Sequence, residues 1–187
     1  MPNLKLLEAS NPYAPLKIVA LESCQEIGQK INDYIVGFRH ESIADISNSP
    51  LFSSYRLDNY LTVNKCSRFG TGEAKGAISE SVRGKDLYIL VDVCNYSLTY
   101  TVNGHLNHMS PDDHFQNLKR IIASAAGKAK RINVIMPFLY ESRQHKRISR
   151  ESLDCAVALD ELIAMGVTNI ITFDAHEIGR ASCRERV

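Results

Sequence analysis

Apolar positions along the chain fall into short, near-continuous runs separated by stretches of helical period. Leu16-Lys-Ile-Val-Ala-Leu21 reads as a first strand, and Ser23 with Glu26 has capping-box spacing for a following helix. Ile27, Ile31 and Ile35 would share one face of that helix, which is expected to end near Gly37. Residues 60–66 and 74–78 can each be strands. Asp86-Leu-Tyr-Ile-Leu-Val-Asp-Val93 is the clearest, apolar almost throughout, as parallel strands buried on both faces are. Ser110-Pro111-Asp112-Asp113 has the chemistry of a helix start: a capping hydroxyl, proline at the first position and acids in the first turn. Phe115, Leu118, Ile121, Ile122 and Ala125 line that helix, and Gly127 can close it. Ile132, Val134, Ile135 and Met136 then predict a buried strand that Pro137 ends. Ser149 is read as the cap of another helix, with Leu153, Ala156, Val157 and Ile163 on one face and Gly166 past its end. Asn169-Ile-Ile-Thr-Phe-Asp-Ala-His176 is the last strand and its exit. Strands alternating with helices predict an α/β fold on a parallel, doubly wound sheet.

Three stretches fall outside this alternation. Residues 1–15 carry Asn-Pro and Ala-Pro pairs and read as an irregular lead-in. Residues 38–58 and 94–109 are polar or Tyr/Asn-rich and are expected to be insertions, the second with a turn at Asn103-Gly104. Residues 177–187 have no apolar period and resemble translated cloning or adaptor sequence, so the α/β domain is expected to span 16–176. On that reading the natural chain departs from this one at about Ala175–Glu177.

Composition narrows the classes of function. Hydrophobic residues make up 44% and charged residues 23% of 187, an ordinary globular balance. A formal net charge of +1 gives no reason to expect nucleic acid or an anionic membrane as partner, so any anion recognition must be local. Five cysteines without C-x-x-C spacing argue against a zinc ribbon. Their odd number, with no secretory leader ahead of them, fits reduced thiols and a cytoplasmic location. No apolar run approaches membrane-spanning length.

Three constellations could carry chemistry. Arg143-Gln144-His145-Lys146-Arg147 lies beyond a strand's carboxyl end, where open α/β sheets bind ligands, and an arginine fork suits phosphate oxygens. Against this stands a solvated charged loop leading into a helix, and the two readings are evenly balanced. Arg68-Phe-Gly-Thr-Gly-Glu73 offers glycines that let backbone approach a ligand, an aromatic ring to stack on a base, and a carboxylate to accept from an amine. Taken alone it reads as a glycine turn with Phe69 buried. Asp174 and His176 lie two apart on one side of an extended exit and could together meet a divalent ion; the alternative is a turn cap beside an exposed histidine. His105, His108 and His114 straddle a turn and a helix start and are read as surface histidines. Lys128, Lys130 and Arg131 are read as complementing a helix's negative end, and Tyr88 as core.

The order of these segments, with Glu80-Ser-Val-Arg-Gly-Lys-Asp86 and Ile170-Ile-Thr-Phe-Asp-Ala-His176 around them, resembles the N-terminal domain of the ribose-phosphate pyrophosphokinase (PRPP synthetase) family from about Leu16 to His176. The resemblance implies a phosphoribosyltransferase-like parallel sheet flanked by helices, one of two such domains, in a homo-oligomer. It implies transfer of a diphosphoryl group from MgATP to ribose 5-phosphate, giving PRPP and AMP. Phe69 and Glu73 would contact adenine, on a neighbouring subunit's nucleotide; Arg143 and Gln144 would hold ATP; Asp174 and His176 would lie at the Mg2+ site. No residue is assigned a covalent catalytic role, since such transfers rest on positioning and charge neutralisation. The chain departs from the family where Thr71, His145 and Ile148 replace acids, and where Glu177-Ile-Gly-Arg follows His176. The ribose-phosphate loop belongs to the second domain and is absent. The expectation is therefore the ATP-side half of a diphosphokinase, inactive alone. The alternative is a non-catalytic regulatory or nucleotide-binding relative. A phosphoribosyltransferase, which shares the fold, is a third reading that the Arg-Gln element opposes.

Overall fold

Residues 86–90 bury Asp86, Leu87, Ile89 and Leu90, so this strand needs partners on both edges and cover on both faces. The computed structural model, which describes residues 13–43, 55–144 and 149–173, supplies them. In chain order the elements are β1 (Leu16–Ala20), a 3-10 turn (Glu22–Cys24), α1 (Gln25–Ile43), β2 (Asn64–Arg68), β3 (Ala74–Ile78), β4 (Asp86–Leu90), β5 (Thr99–Val102), β6 (His105–His108), α2 (Pro111–Ala125), β7 (Arg131–Ile135), α3 (Asp154–Ala164) and β8 (Asn169–Ile171). β1, β4, β7 and β8 form a parallel sheet in that order, Ile18 beside Tyr88, Tyr88 beside Asn133, and Asn133 beside Asn169.

Side-chain alternation along these strands divides the core. Val19, Leu87, Ile89, Ile132 and Val134 join Leu118, Ile121 and Ile122 of α2 and Cys155, Ala158 and Leu162 of α3 in one cluster. Ile18, Ala20 and Leu90 join Tyr60, with Ile31, Ile35 and Val36 of α1, in the other. Helices therefore cover both faces, the doubly wound arrangement that the sequence predicts. α1 lies very close to β1: a Cβ at Gly28 would stand 2.4 Å from that of Ala20.

Several boundaries differ from expectation. α1 runs through Gly37 to Ile43. A mid-helix glycine costs about 1 kcal/mol, which burial of Ile31, Ile35 and Val36 offsets. Arg39 adds cation–π contacts to Tyr55 and Tyr60, at 4.2 and 4.6 Å. Ser23 does not cap the helix; it sits in the 3-10 turn, where its hydroxyl accepts from the Asp92 N–H at 3.1 Å. Ile27 is exposed, unlike Ile31 and Ile35. α3 starts at Asp154, not after Ser149, and buries Cys155, Ala158 and Leu162 while Val157 and Ile163 face out. Its apolar residues surround most of the helix, so periodicity offers no single face and docking on the sheet decides.

Residues 60–66 divide between two roles. Tyr60 and Thr62 bond to Ile18 along the outer edge of β1, whereas among the described residues β2 pairs only with β3, in an antiparallel hairpin. Residues 94–109 contain a second hairpin, β5–β6, around Asn103 (φ 49°) and Gly104 (φ 79°), the paired left-handed backbone that a tight two-residue turn requires. Arg131 is engaged less by a helix end than by Asp86, through Nε at 2.8 Å and a second bond from Nη2. Tyr88 is half-buried rather than core. Cys24, Cys66, Cys94 and Cys155 are free thiols. Among the described residues no helix is long and apolar enough to cross a membrane.

Candidate functional site

The start of α2 organises the carboxyl edge of the sheet. Ser110 accepts from the Asp113 N–H at 3.1 Å while Asp113 accepts from the Ser110 N–H at 3.0 Å, a capping box with aspartate in place of glutamate. The cap leaves the other oxygen of Asp113 and the whole of Asp112 available, and each holds a different loop.

Asp113 holds the β2–β3 hairpin. Arg68, the last residue of β2, donates from Nη2 to Asp113 Oδ1 at 2.9 Å and from Nη1 to the Gly72 carbonyl at 2.9 Å. Its guanidinium stacks on the Tyr100 ring at 4.1 Å, and the Tyr100 hydroxyl lies 3.4 Å from Asp113 Oδ2. The loop 69–73 closes through Phe69 N–H to the Glu73 carbonyl at 2.7 Å and Gly72 N–H to the Phe69 carbonyl at 2.9 Å. Gly72 has φ +92°, where a side chain would be strained. Phe69 is 51% exposed, which excludes the buried-turn reading and leaves its ring open to a planar partner. The Thr71 hydroxyl donates to Glu73 at 3.0 Å and steadies that carboxylate.

Asp112 holds the loop after β7. The Tyr140 hydroxyl donates to Asp112 Oδ1 at 2.7 Å, and its ring stacks on Phe115 with centroids 4.2 Å apart. Burial, with Asp112 as acceptor, pushes the Tyr140 phenol well above its ordinary range, so it stays a donor. Glu141 takes a left-handed φ of 55°, and the Gln144 N–H donates to its carbonyl at 2.9 Å. The turn leaves Arg143 exposed and points the Gln144 amide to the Ser152 carbonyl at 2.9 Å. Burial and Asp92 raise the Cys94 thiol, beyond the exit of β4, while the Arg143 charge pulls it down. That exit is fastened by His114, whose Nε2 lies 2.7 Å from the Asn95 carbonyl. His114 is thus a buried residue at 2% exposure, not a surface histidine, because its ring closes the gap between helix and loop.

Of the predicted site residues, Phe69 and Glu73 share one loop and Arg143 and Gln144 another. Each loop is anchored on one of two adjacent carboxylates of one helical turn, Asp113 through Arg68 and Asp112 through Tyr140. Asp174, His176, His145, Lys146 and Arg147 lie outside the described residues. Tyr100 and Tyr140 are supports that the sequence does not mark, and Arg68, Asp112 and Asp113 are legible there only as a motif's first residue and as first-turn acids, which hides their second partners.

The model of the N-terminal domain of ribose phosphate pyrophosphokinase matches residues 16–166. The chain belongs to this family. It is 35% identical over 125 residues to ribose-phosphate pyrophosphokinase 1 of Schizosaccharomyces pombe, covering 64% of this chain and 27% of the relative. It is 32% identical over 117 residues to ribose-phosphate pyrophosphokinase of Corynebacterium ammoniagenes, covering 61% of this chain and 33% of the relative. The chain thus spans well under half the length of these relatives. The crystal structure of phosphoribosylpyrophosphate synthetase from Mycobacterium smegmatis shares the fold, with TM-score 0.59 and 21% identity over 87% of this chain and 43% of that one.

Within this ribose phosphate pyrophosphokinase domain, no group of three or more His, Cys, Asp or Glu among the described residues could hold a metal. The described part of the site mixes exposed Arg143 and Phe69 with the carboxylates of Glu73, Asp112 and Asp113. Asp113 is its most engaged acid: burial raises its pKa, but the Ser110 and Arg68 bonds outweigh this and hold it below the usual carboxylate value. Asp113→Asn is expected to cost about 1 kcal/mol of stability near neutral pH. A depressed folded-state pKa contributes stability above the unfolded value, about 3.9, that is lost as pH falls through the folded one. Thermal melts of protein and variant should therefore converge as pH drops below about 4.

Proposed function

We propose that the chain is the ATP-side half of a ribose-phosphate diphosphokinase, which moves the β,γ-diphosphoryl group of MgATP to the anomeric oxygen of ribose 5-phosphate and releases AMP. The observation that carries this reading is the exposed Arg143 on the loop after β7, at the sheet's carboxyl edge, a loop that Tyr140 fastens to Asp112. Arg143 supplies a planar fork for phosphate oxygens, and Gln144 an amide beside it. Phe69 stacks on adenine and Glu73 accepts from its amine, on the nucleotide of a neighbouring subunit in a homo-oligomer. Asp174 and His176 meet the Mg2+ that neutralises the phosphates. Ribose 5-phosphate is held mainly by a second domain, and the protein works in the cytoplasm without nucleic acid or membrane. Transfer then depends on position and charge, not on a covalent enzyme intermediate.

Incubated with ATP, Mg2+ and ribose 5-phosphate, this chain alone is expected to form no PRPP, since its residues supply no ribose-phosphate loop. PRPP formation above a protein-free control would overturn the division of labour between domains. The acids replaced at Thr71, His145 and Ile148 favour a second reading, a nucleotide-binding regulatory relative. Joining the chain to a second domain with an intact ribose-phosphate loop distinguishes the two, because only the first reading then yields PRPP.

A further inference from the structure

The hairpin β5–β6 makes its clearest contacts with the loop that presents Phe69 and Glu73. Its Tyr100 ring stacks on the Arg68 guanidinium at 4.1 Å, and Arg68 in turn holds the Gly72 carbonyl and Asp113. Val102 lies against Gly72 as well: a Cβ at Gly72 would lie 3.4 Å from Val102 Cγ2. A five-residue loop with two glycines is soft by itself, and each rotamer or backbone angle left free must be ordered when ligand binds. Planar stacking on Tyr100 and donation from both Arg68 Nη atoms, to the Gly72 carbonyl and to Asp113, remove that freedom beforehand.

We infer that Tyr100 is a positioning residue: through Arg68 it holds the 69–73 loop in the conformation that receives the adenine ring. The inference rests on the proposed reading of that loop as a nucleotide contact. The hairpin thereby sets nucleotide affinity without touching the nucleotide. The ring, not the hydroxyl, does this, because the hydroxyl stands at the limit of hydrogen-bond distance from an Asp113 oxygen already held by Ser110.

The chain has no tryptophan, so Phe69→Trp installs a single indole reporter on the loop. In that background Tyr100→Leu is expected to raise acrylamide quenching of the indole and to raise the MgATP midpoint of its fluorescence change about tenfold, equivalent to about 1.4 kcal/mol. Tyr100→Phe should leave both readouts as in the parent. Arg68→Lys, which keeps charge but loses the planar fork, should behave as Tyr100→Leu does and serves if the leucine variant folds poorly. Equal quenching and equal MgATP midpoints in the parent and Tyr100→Leu would overturn the inference, as would Tyr100→Phe behaving like Tyr100→Leu. If quenching separates the two variants but MgATP changes the indole fluorescence in none of them, the brace stands and the nucleotide reading of the loop fails.

Discussion

Replacing Arg143 by alanine is expected to weaken MgATP binding about 10²-fold, equivalent to about 2.7 kcal/mol. The size follows from the chemistry lost, charge-assisted hydrogen bonds to phosphate oxygens from an exposed side chain on a loop that is itself well held. Tyr140 is locked by Asp112 and Phe115, and the turn at Glu141 closes on the Gln144 N–H, so little ordering is left for binding to supply. Arg143→Lys keeps the charge and loses the fork, and should fall between the two. Calorimetric titration at low and high salt checks the assignment. Bulk electrostatic attraction fades with salt, whereas a fork on phosphate loses less. Unchanged affinity in Arg143→Ala would remove this loop from the nucleotide site. It would leave the fold and family untouched.

Gly76→Ala is expected to lose about 1–3 kcal/mol of stability, as insertion into a closely packed contact does. A Cβ at this position would stand 2.8 Å from the Arg120 carbonyl carbon and 2.9 Å from both its oxygen and its Cβ. Two of those three are backbone atoms of α2 and cannot swing aside, so the β2–β3 hairpin must lift from the helix. Arg68 leaves the same hairpin for Asp113 at the helix start, and the lift therefore disturbs the 69–73 loop as well. Denaturant midpoints measure the stability loss. Gly37→Ala is the control: nothing lies within 4 Å of its Cβ, it is mid-helix, and it should stabilise by about 0.5–1 kcal/mol. If Gly76→Ala is neutral, the close approach of hairpin and helix is wrong.

The legible parts of the site and the hidden ones differ in kind. Phe69, Glu73, Arg143 and Gln144 stand out in the sequence by residue type and place, and the family resemblance supplies their proposed roles in nucleotide binding. Arg68 and Asp113 do not stand out. Each already satisfies a local rule, as a strand end and as a helix-capping acid, and their mutual bond spans 45 residues. The same limit applies to His114, whose partner Asn95 lies in a loop with no period of its own.

Local sequence determined the alternation of strands and helices, the capping box at Ser110 and the left-handed turn at Asn103-Gly104. Each of these depends on contacts within a few residues, so the information sits beside the residue that uses it. Only the tertiary structure decided that α1 continues past Gly37, that α3 buries Cys155 instead of Val157, that residues 60–62 line β1 while β2 joins a separate hairpin, and that one turn of α2 holds both site loops. Those outcomes follow from which surfaces meet. Apolar burial and a long-range ion pair outweigh a glycine's propensity or a helix's ambiguous period, and neither is visible until the chain has closed on itself.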